Sequence, residues 1–170
     1  MSDRLIGKKI LAVDDEPDVL ETLVEFLDMC SVETATDFES AKQLLTNNQY
    51  DAAILDIMGV NGYDLLNIAE SKGIPALMLT AHALTPAHLE KSIGNGAYCY
   101  LPKERMIDIT TYLLDVLLAK EDNRGTSRAW FERLAPDFER QWGSDWKNGR
   151  MDALRRLNLV ASKEELGDML

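Results

Sequence analysis

Four short apolar runs, at 10–13, 52–55, 76–79 and 98–101, each lead into polar chemistry: Asp14-Asp15, Asp56, Thr80 and, past Pro102, Lys103. Runs of this length predict strands, not helices. The stretches between them carry a helical period. Leu20, Leu23, Val24 and Leu27 recur at i, i+3, i+4 and i+7 and predict an amphipathic helix over 17–29. Pro17 suits its first turn, where a missing N–H leaves nothing unsatisfied. A short second strand is read at 32–36. Asp37 offers an N-cap to a helix ending near Thr46 and packed by Ala41, Leu44 and Leu45. A third helix is predicted over 63–71, a fourth from Thr85-Pro86 to Gly94-Asn95-Gly96, and a fifth over 104–120. The remaining strands fall at 52–56, 76–80 and 97–101.

Strands separated by single helices imply right-handed crossovers. Nearly continuous apolar strands imply a sheet covered on both faces. The expected class is therefore α/β, a doubly wound five-stranded parallel sheet. In such a sheet every strand opens its carboxyl end on one edge, where ligands bind. Asp14, Asp15, Asp56, Thr80 and Lys103 are thereby predicted to meet in one crevice.

The alternation stops near 120. Residues 121–127 (Glu-Asp-Asn-Arg-Gly-Thr-Ser) read as a linker and 128–170 as a short helical extension, leaving 1–120 as the main domain. All three tryptophans, Trp130, Trp142 and Trp146, lie in the extension with Phe131 and Phe138. Two or three short helices are expected there, broken near Pro136 and Gly143, with Leu154 and Leu157 on a later one. The fifth helix is more apolar than one buried face requires. Ile109, Leu113, Val116 and Leu117 form a stripe for the sheet, and Met106, Ile107, Leu114 and Leu118 add surface that the extension, a second copy or a partner should cover.

Charge sharpens the picture. The formal net charge is −11, with 9 Lys/Arg against 19 Asp/Glu in 1–120 and 9 against 10 in 121–170. An acidic main domain makes nucleic acid an unlikely ligand. No stretch of eighteen apolar residues and no signal-peptide layout is present, so a cytoplasmic protein without membrane insertion is expected. Cys30 and Cys99 have no metal-type spacing and are read as reduced thiols.

Crowded carboxylates repel, and one takes up a proton unless a cation intervenes. Mg²⁺ suits such a site because it prefers oxygen ligands and bridges to phosphate. The doubled Asp14-Asp15 is placed to hold the metal, and the lone Asp56 to attack a phosphoryl group. Thr80 can donate a hydrogen bond to phosphate, and Lys103 supplies a point charge. Blander alternatives stand beside this reading. Asp14-Asp15 could cap the next helix, Thr80 and Tyr100 could be ordinary strand residues, and His82, two residues past Thr80, reads first as a surface histidine and otherwise as a tuner of dephosphorylation. His88 reads as a helix-surface residue, Trp142 and Trp146 as packing residues, and Lys147, Arg150, Arg155 and Arg156 as a solvated face.

Residues 8–120 resemble the receiver domain of bacterial two-component response regulators, the CheY-like fold. The resemblance lies in Ile10-Leu11-Ala12-Val13-Asp14-Asp15-Glu16, Ile54-Leu55-Asp56-Ile57-Met58, Leu77-Met78-Leu79-Thr80-Ala81, and Gly96-Ala97 through Tyr100-Leu101-Pro102-Lys103. It implies that Asp56 accepts a phosphoryl group from a sensor histidine kinase or phosphotransfer protein. It also implies that Asp15, Asp56 and the Met58 carbonyl bind Mg²⁺, with Asp14 helping through water. Thr80 and Tyr100 would be a switch pair, and the small Ala81 would keep access to the aspartate open. The surface made by the fourth helix, fifth strand and fifth helix, or the aromatic extension, would meet a downstream protein or a second copy. The chain departs from the family pattern in three places. Gly62 follows Asp56 by six residues where the family has eight; Pro102 precedes Lys103 where the family has a Pro after it; and Cys99 stands where winged-helix regulators carry an acidic residue of their dimer contact. The expected role is a signalling switch, not an enzyme. A transcription regulator whose extension binds DNA is the alternative, and a phosphate-ester hydrolase ranks last.

Overall fold

The computed structural model describes residues 2–81, 85–124 and 128–169. Five parallel strands form one sheet in the order β2-β1-β3-β4-β5: β1 Lys9–Val13, β2 Ser31–Ala35, β3 Ala52–Asp56, β4 Ala76–Thr80 and β5 Cys99–Pro102. Every residue of β3 and β4 is buried, as a central strand covered on both faces requires. The connecting helices are α1 Pro17–Phe26, α2 Phe38–Asn47, α3 Gly62–Ser71, α4 Pro86–Gly94 and α5 Ile109–Glu121. The doubly wound class read from the sequence is the one observed.

Local chemistry sets most boundaries. The Asp37 carboxylate accepts from the Ser40 amide at 2.8 Å and starts α2. Pro17 lies in the first turn of α1, which buries Leu20 and Leu23. That helix ends at Phe26, before the expected 29, because Leu27 leaves helical geometry while its side chain stays fully buried. The fifth helix also differs from expectation. Residues Lys103–Asp108 form a 3-10 turn with no buried residue, and α5 begins only at Ile109, where the apolar stripe begins.

The extension forms α6 Arg128–Trp142, α7 Met151–Arg156 and α8 Lys163–Met169. Pro136 does not break α6, contrary to the sequence reading. An interior proline costs about 3 kcal/mol through its lost hydrogen bond and ring clash. Burial of Trp130, Phe131, Leu134 and Phe138 on both sides of it outweighs that cost, since each large side chain contributes about 1.5–3 kcal/mol. The helix stops at Trp142, and Gly143 follows with φ +89°. Phe138 stacks on Trp142 at 4.8 Å between ring centres, and Trp142 meets Trp146 edge-on at 5.0 Å. These aromatics are core, not a ligand cage. The extension covers only part of the surplus apolar surface expected on the fifth helix: α5 packs on β3, β4 and α6 and buries Leu114, but Met106 and Leu118 are half-buried and Ile107, in the turn before it, stays 71% exposed.

Candidate functional site

The carboxyl ends of β1, β3 and β4, with the residue just past β5, bring the predicted polar residues to one rim. Asp14 follows β1 and is fully buried; Asp56 ends β3 and Thr80 ends β4, both with under 5% of their surface exposed. Lys103, directly after β5, holds them together. Its Nζ lies 2.9 Å from Asp14 Oδ2, 3.5 Å from Asp56 Oδ1 and 3.4 Å from Glu16 Oε1. Asp14 Oδ1 accepts from the Glu16 amide at 2.9 Å, but Glu16 is the N-cap of α1 and no side chain caps that helix, so the capping alternative does not account for Asp14. Asp15 stands at the exposed mouth, with ligand atoms of Asp14, Asp15 and Glu16 all within 4.8 Å of one another.

The electrostatics follow from burial and crowding. Burial, then the Asp14 charge, pushes the Asp56 carboxyl up to about 7 despite the pull of Lys103. Burial likewise raises Asp14 against the Lys103 hydrogen bond. For Lys103, burial acts to lower the ammonium's proton affinity. The Asp14 hydrogen bond and the charges of Asp56, Asp14 and Glu16 outweigh it, so the net direction is upward. The site therefore holds more negative charge than one lysine neutralises.

The loop after β3 is set by two glycines. A Cβ on Gly62 would lie 2.1 Å from the Asp56 carbonyl oxygen, so only glycine lets α3 start this close to the strand. Gly59, at φ +86°, presses on Asp15: a Cβ there would lie 2.6 Å from Asp15 Oδ2. Met58 lies in the same turn and is 62% exposed. The sequence reading noted Gly62 only as spacing, and it gave Glu16 no role although Glu16 faces Lys103. The Asp-Asp-Glu run was the available signal for Glu16.

Tyr100 lies on β5, fully buried. It pairs with Met78, two residues before Thr80, which puts Thr80 and Tyr100 on the same face of adjacent strands. Ala81 is exposed just past β4. His82 lies outside the described residues. His88 is half-buried on α4, its ring nitrogen 2.9 Å from Thr85 Oγ1. Cys99 is buried, and burial pushes its thiol well above the ordinary range.

Residues 10–113 match the family profile described as response regulator receiver domain. A two-component response regulator of Arabidopsis thaliana is 29% identical over 160 residues, covering 89% of this chain and 27% of its own length. The transcriptional regulatory protein TcrA of Mycobacterium tuberculosis is 30% identical over 154 residues, covering 84% of this chain and 59% of its own. The chain thus spans about a quarter of the one relative and three fifths of the other. Among solved structures, the N-terminal domain of a response regulator/sensory box/GGDEF 3-domain protein from Carboxydothermus hydrogenoformans is similar at 28% identity and a TM-score of 0.61, covering 68% of this chain and 98% of that one. With the profile matching more than half of its length, and with the same parallel sheet, this chain belongs to the response regulator receiver domain family.

Proposed function

We propose that Asp56 is the phosphoacceptor of a phosphorelay and that its donor is the phosphohistidine of a sensor kinase or phosphotransfer protein. The observation that carries this is the Lys103 ammonium between Asp14 and Asp56 at the rim of the sheet. An Asp56 oxygen attacks phosphorus, the P–N bond to the donor imidazole breaks, and the imidazole leaves with the bonding pair and takes a proton. Lys103 compensates charge on the phosphoryl oxygens, and Thr80, buried at the end of β4 on the same rim, is the hydroxyl donor to one of them. Hydrolysis later returns the free carboxylate.

The donor set fits a hard divalent cation: clustered carboxylates, no thiol or imidazole among the described ligands, and an Asp56 proton affinity raised first by burial and then by the Asp14 charge. Asp14, Asp15, Asp56 and the Met58 carbonyl would hold Mg²⁺, which neutralises phosphoryl charge when bound. Among the described residues no helix is long and apolar enough to cross a membrane, which is compatible with a cytoplasmic signalling role.

Acetyl phosphate with Mg²⁺ should add the mass of one phosphoryl group to the intact chain. Asp56→Asn and a chelator should each abolish the gain. Labelling that persists in the Asp56→Asn protein would place the acceptor elsewhere.

Likeness to a transcriptional regulatory protein favours DNA binding as a second reading. The extension's arginines argue against it. Arg128, Arg133, Arg140, Arg150 and Arg155 are paired with Glu165, Asp115, Asp137, Glu90 and Asp152. A salt-dependent mobility shift with random duplex would support DNA binding.

A further inference from the structure

The surface formed by α4, β5 and α5 is not open: the extension is anchored to each of its three elements. On β5, the Tyr100 ring faces the fully buried Phe138 of α6 at 6.2 Å between centres. On α5, Asp115 pairs with Arg133 of α6 at 3.2 Å. On α4, Glu90 pairs with Arg150 at 3.0 Å, and Leu157 lies against Gly94. The turn between β5 and α5 adds Arg105, whose guanidinium grips the Asp137 carboxylate with two hydrogen bonds.

We propose that residues 128–157 are the first reader of this switch, docked on that face while Asp56 is free and loosened from it when Asp56 carries a phosphoryl group. The inference depends on Asp56 being the acceptor. The link runs through one side chain. Thr80 and Tyr100 share a face of adjacent strands, and Tyr100 is the residue of β5 whose ring meets Phe138. A phosphoryl group on Asp56 brings acceptor oxygens to the end of β4. A Thr80 hydroxyl drawn to them vacates volume on the Tyr100 side. A Tyr100 ring that fills that volume withdraws from Phe138. Interiors are close-packed, so a ring with no atoms on one side loses the contacts that held it. The docked arrangement is then the less stable one, and the α4–β5–α5 face is uncovered. The ion pairs at the border persist in part, so the expected change is a shift in docking equilibrium, not expulsion.

The test uses the full chain and amide hydrogen exchange, with intact mass measured on the same sample. After acetyl phosphate and Mg²⁺, with the phosphoryl mass gain confirmed, amides of α6 should exchange at least about tenfold faster while those of β1 and β3 stay unchanged. Coupling between two sites is reciprocal. Arg133→Gln, far from the rim, should therefore raise affinity for the phosphoryl mimic beryllium fluoride about fivefold or more. A confirmed mass gain with unchanged or slower exchange in α6 overturns the reader while leaving Asp56 as acceptor. Unchanged beryllium fluoride affinity in Arg133→Gln also overturns it. Absence of any mass gain removes the acceptor and the reader together.

Discussion

Asp56→Asn should make the metal-free protein more stable at alkaline pH although it removes the proposed phosphoacceptor. Burial and Asp14 raise the Asp56 carboxyl from the ordinary 3.8 to about 7. A carboxyl raised in this way binds more protons in the folded chain than in the unfolded chain between those two values. Stability is therefore lost as pH rises through that window, and above it the whole penalty is present. Each tenfold change in proton affinity is worth about 1.4 kcal/mol, so the penalty at pH 8 is about 4 kcal/mol and at pH 5 about 2 kcal/mol. Asparagine carries no charge and escapes it, while Lys103 keeps Asp14 as a partner at 2.9 Å. Urea unfolding with a chelator at pH 8 should show the variant more stable by about 2–4 kcal/mol, with the gap shrinking toward pH 5. Magnesium should narrow the gap by stabilising the parent, because a ligand that binds only the folded state adds RT ln(1 + [L]/Kd). A variant equal to or weaker than the parent at pH 8 without metal would refute the claim that the rim is held in electrostatic strain.

Gly62→Ala should lower unfolding free energy by about 2–3 kcal/mol, because its methyl cannot fit beside the Asp56 carbonyl without moving α3; a change below about 0.5 kcal/mol in urea melts would contradict the close approach. Lys103→Gln should cost about 3 kcal/mol at pH 8 with chelator, since it leaves buried like charges uncompensated. Part of that loss should return at pH 5 as Asp56 takes up its proton, and a pH-independent loss would count against the electrostatic cause. Arg133→Ala should destabilise by about 1–2 kcal/mol by leaving buried Asp115 without its partner. Adding Asp115→Asn should recover part of this, as a double-mutant cycle in urea would show.

The sheet and its reactive rim were legible because two periodicities agreed. Strand-length apolar runs fixed where β1, β3, β4 and β5 lie, and the polar residue after each run fixed what the rim contains. Asp56, Thr80 and Lys103 needed only the rule that parallel strands open on one edge. What escaped the sequence was decided by contacts between distant segments. Residues 104–108 read as the start of the fifth helix, yet with no face to bury they form, from Lys103 on, a tight turn that places Lys103 among carboxylates from β1 and β3. Glu16 looked like the third residue of an acidic run, and only the position of Lys103, 87 residues later, gives it a partner. Gly59 carries no pattern, and Gly62 shows only a spacing from Asp56. Their necessity lies in the Asp15 carboxylate and the Asp56 carbonyl that a side chain would strike.

Pro136 is the clearest case of tertiary packing overriding local preference, and it bears on how the extension works. Alone, α6 has weak claims to stability: a proline in its interior and three arginines in fifteen residues whose partners lie largely on other segments or close by in the helix. Helices of this length are marginal in water without packing. Its order therefore comes from the surface beneath it, chiefly Tyr100, Asp115 and Arg105. An element stabilised by its docking site, more than by its own sequence, responds to small changes in that site with large changes in population. Tyr100 belongs to the strand next to Thr80, and Arg105 sits two residues from Lys103, so two of these three anchors of α6 adjoin the groups at the carboxylate rim. The sensitivity of the extension and the chemistry of the rim are thus joined through β5 and the turn that follows it.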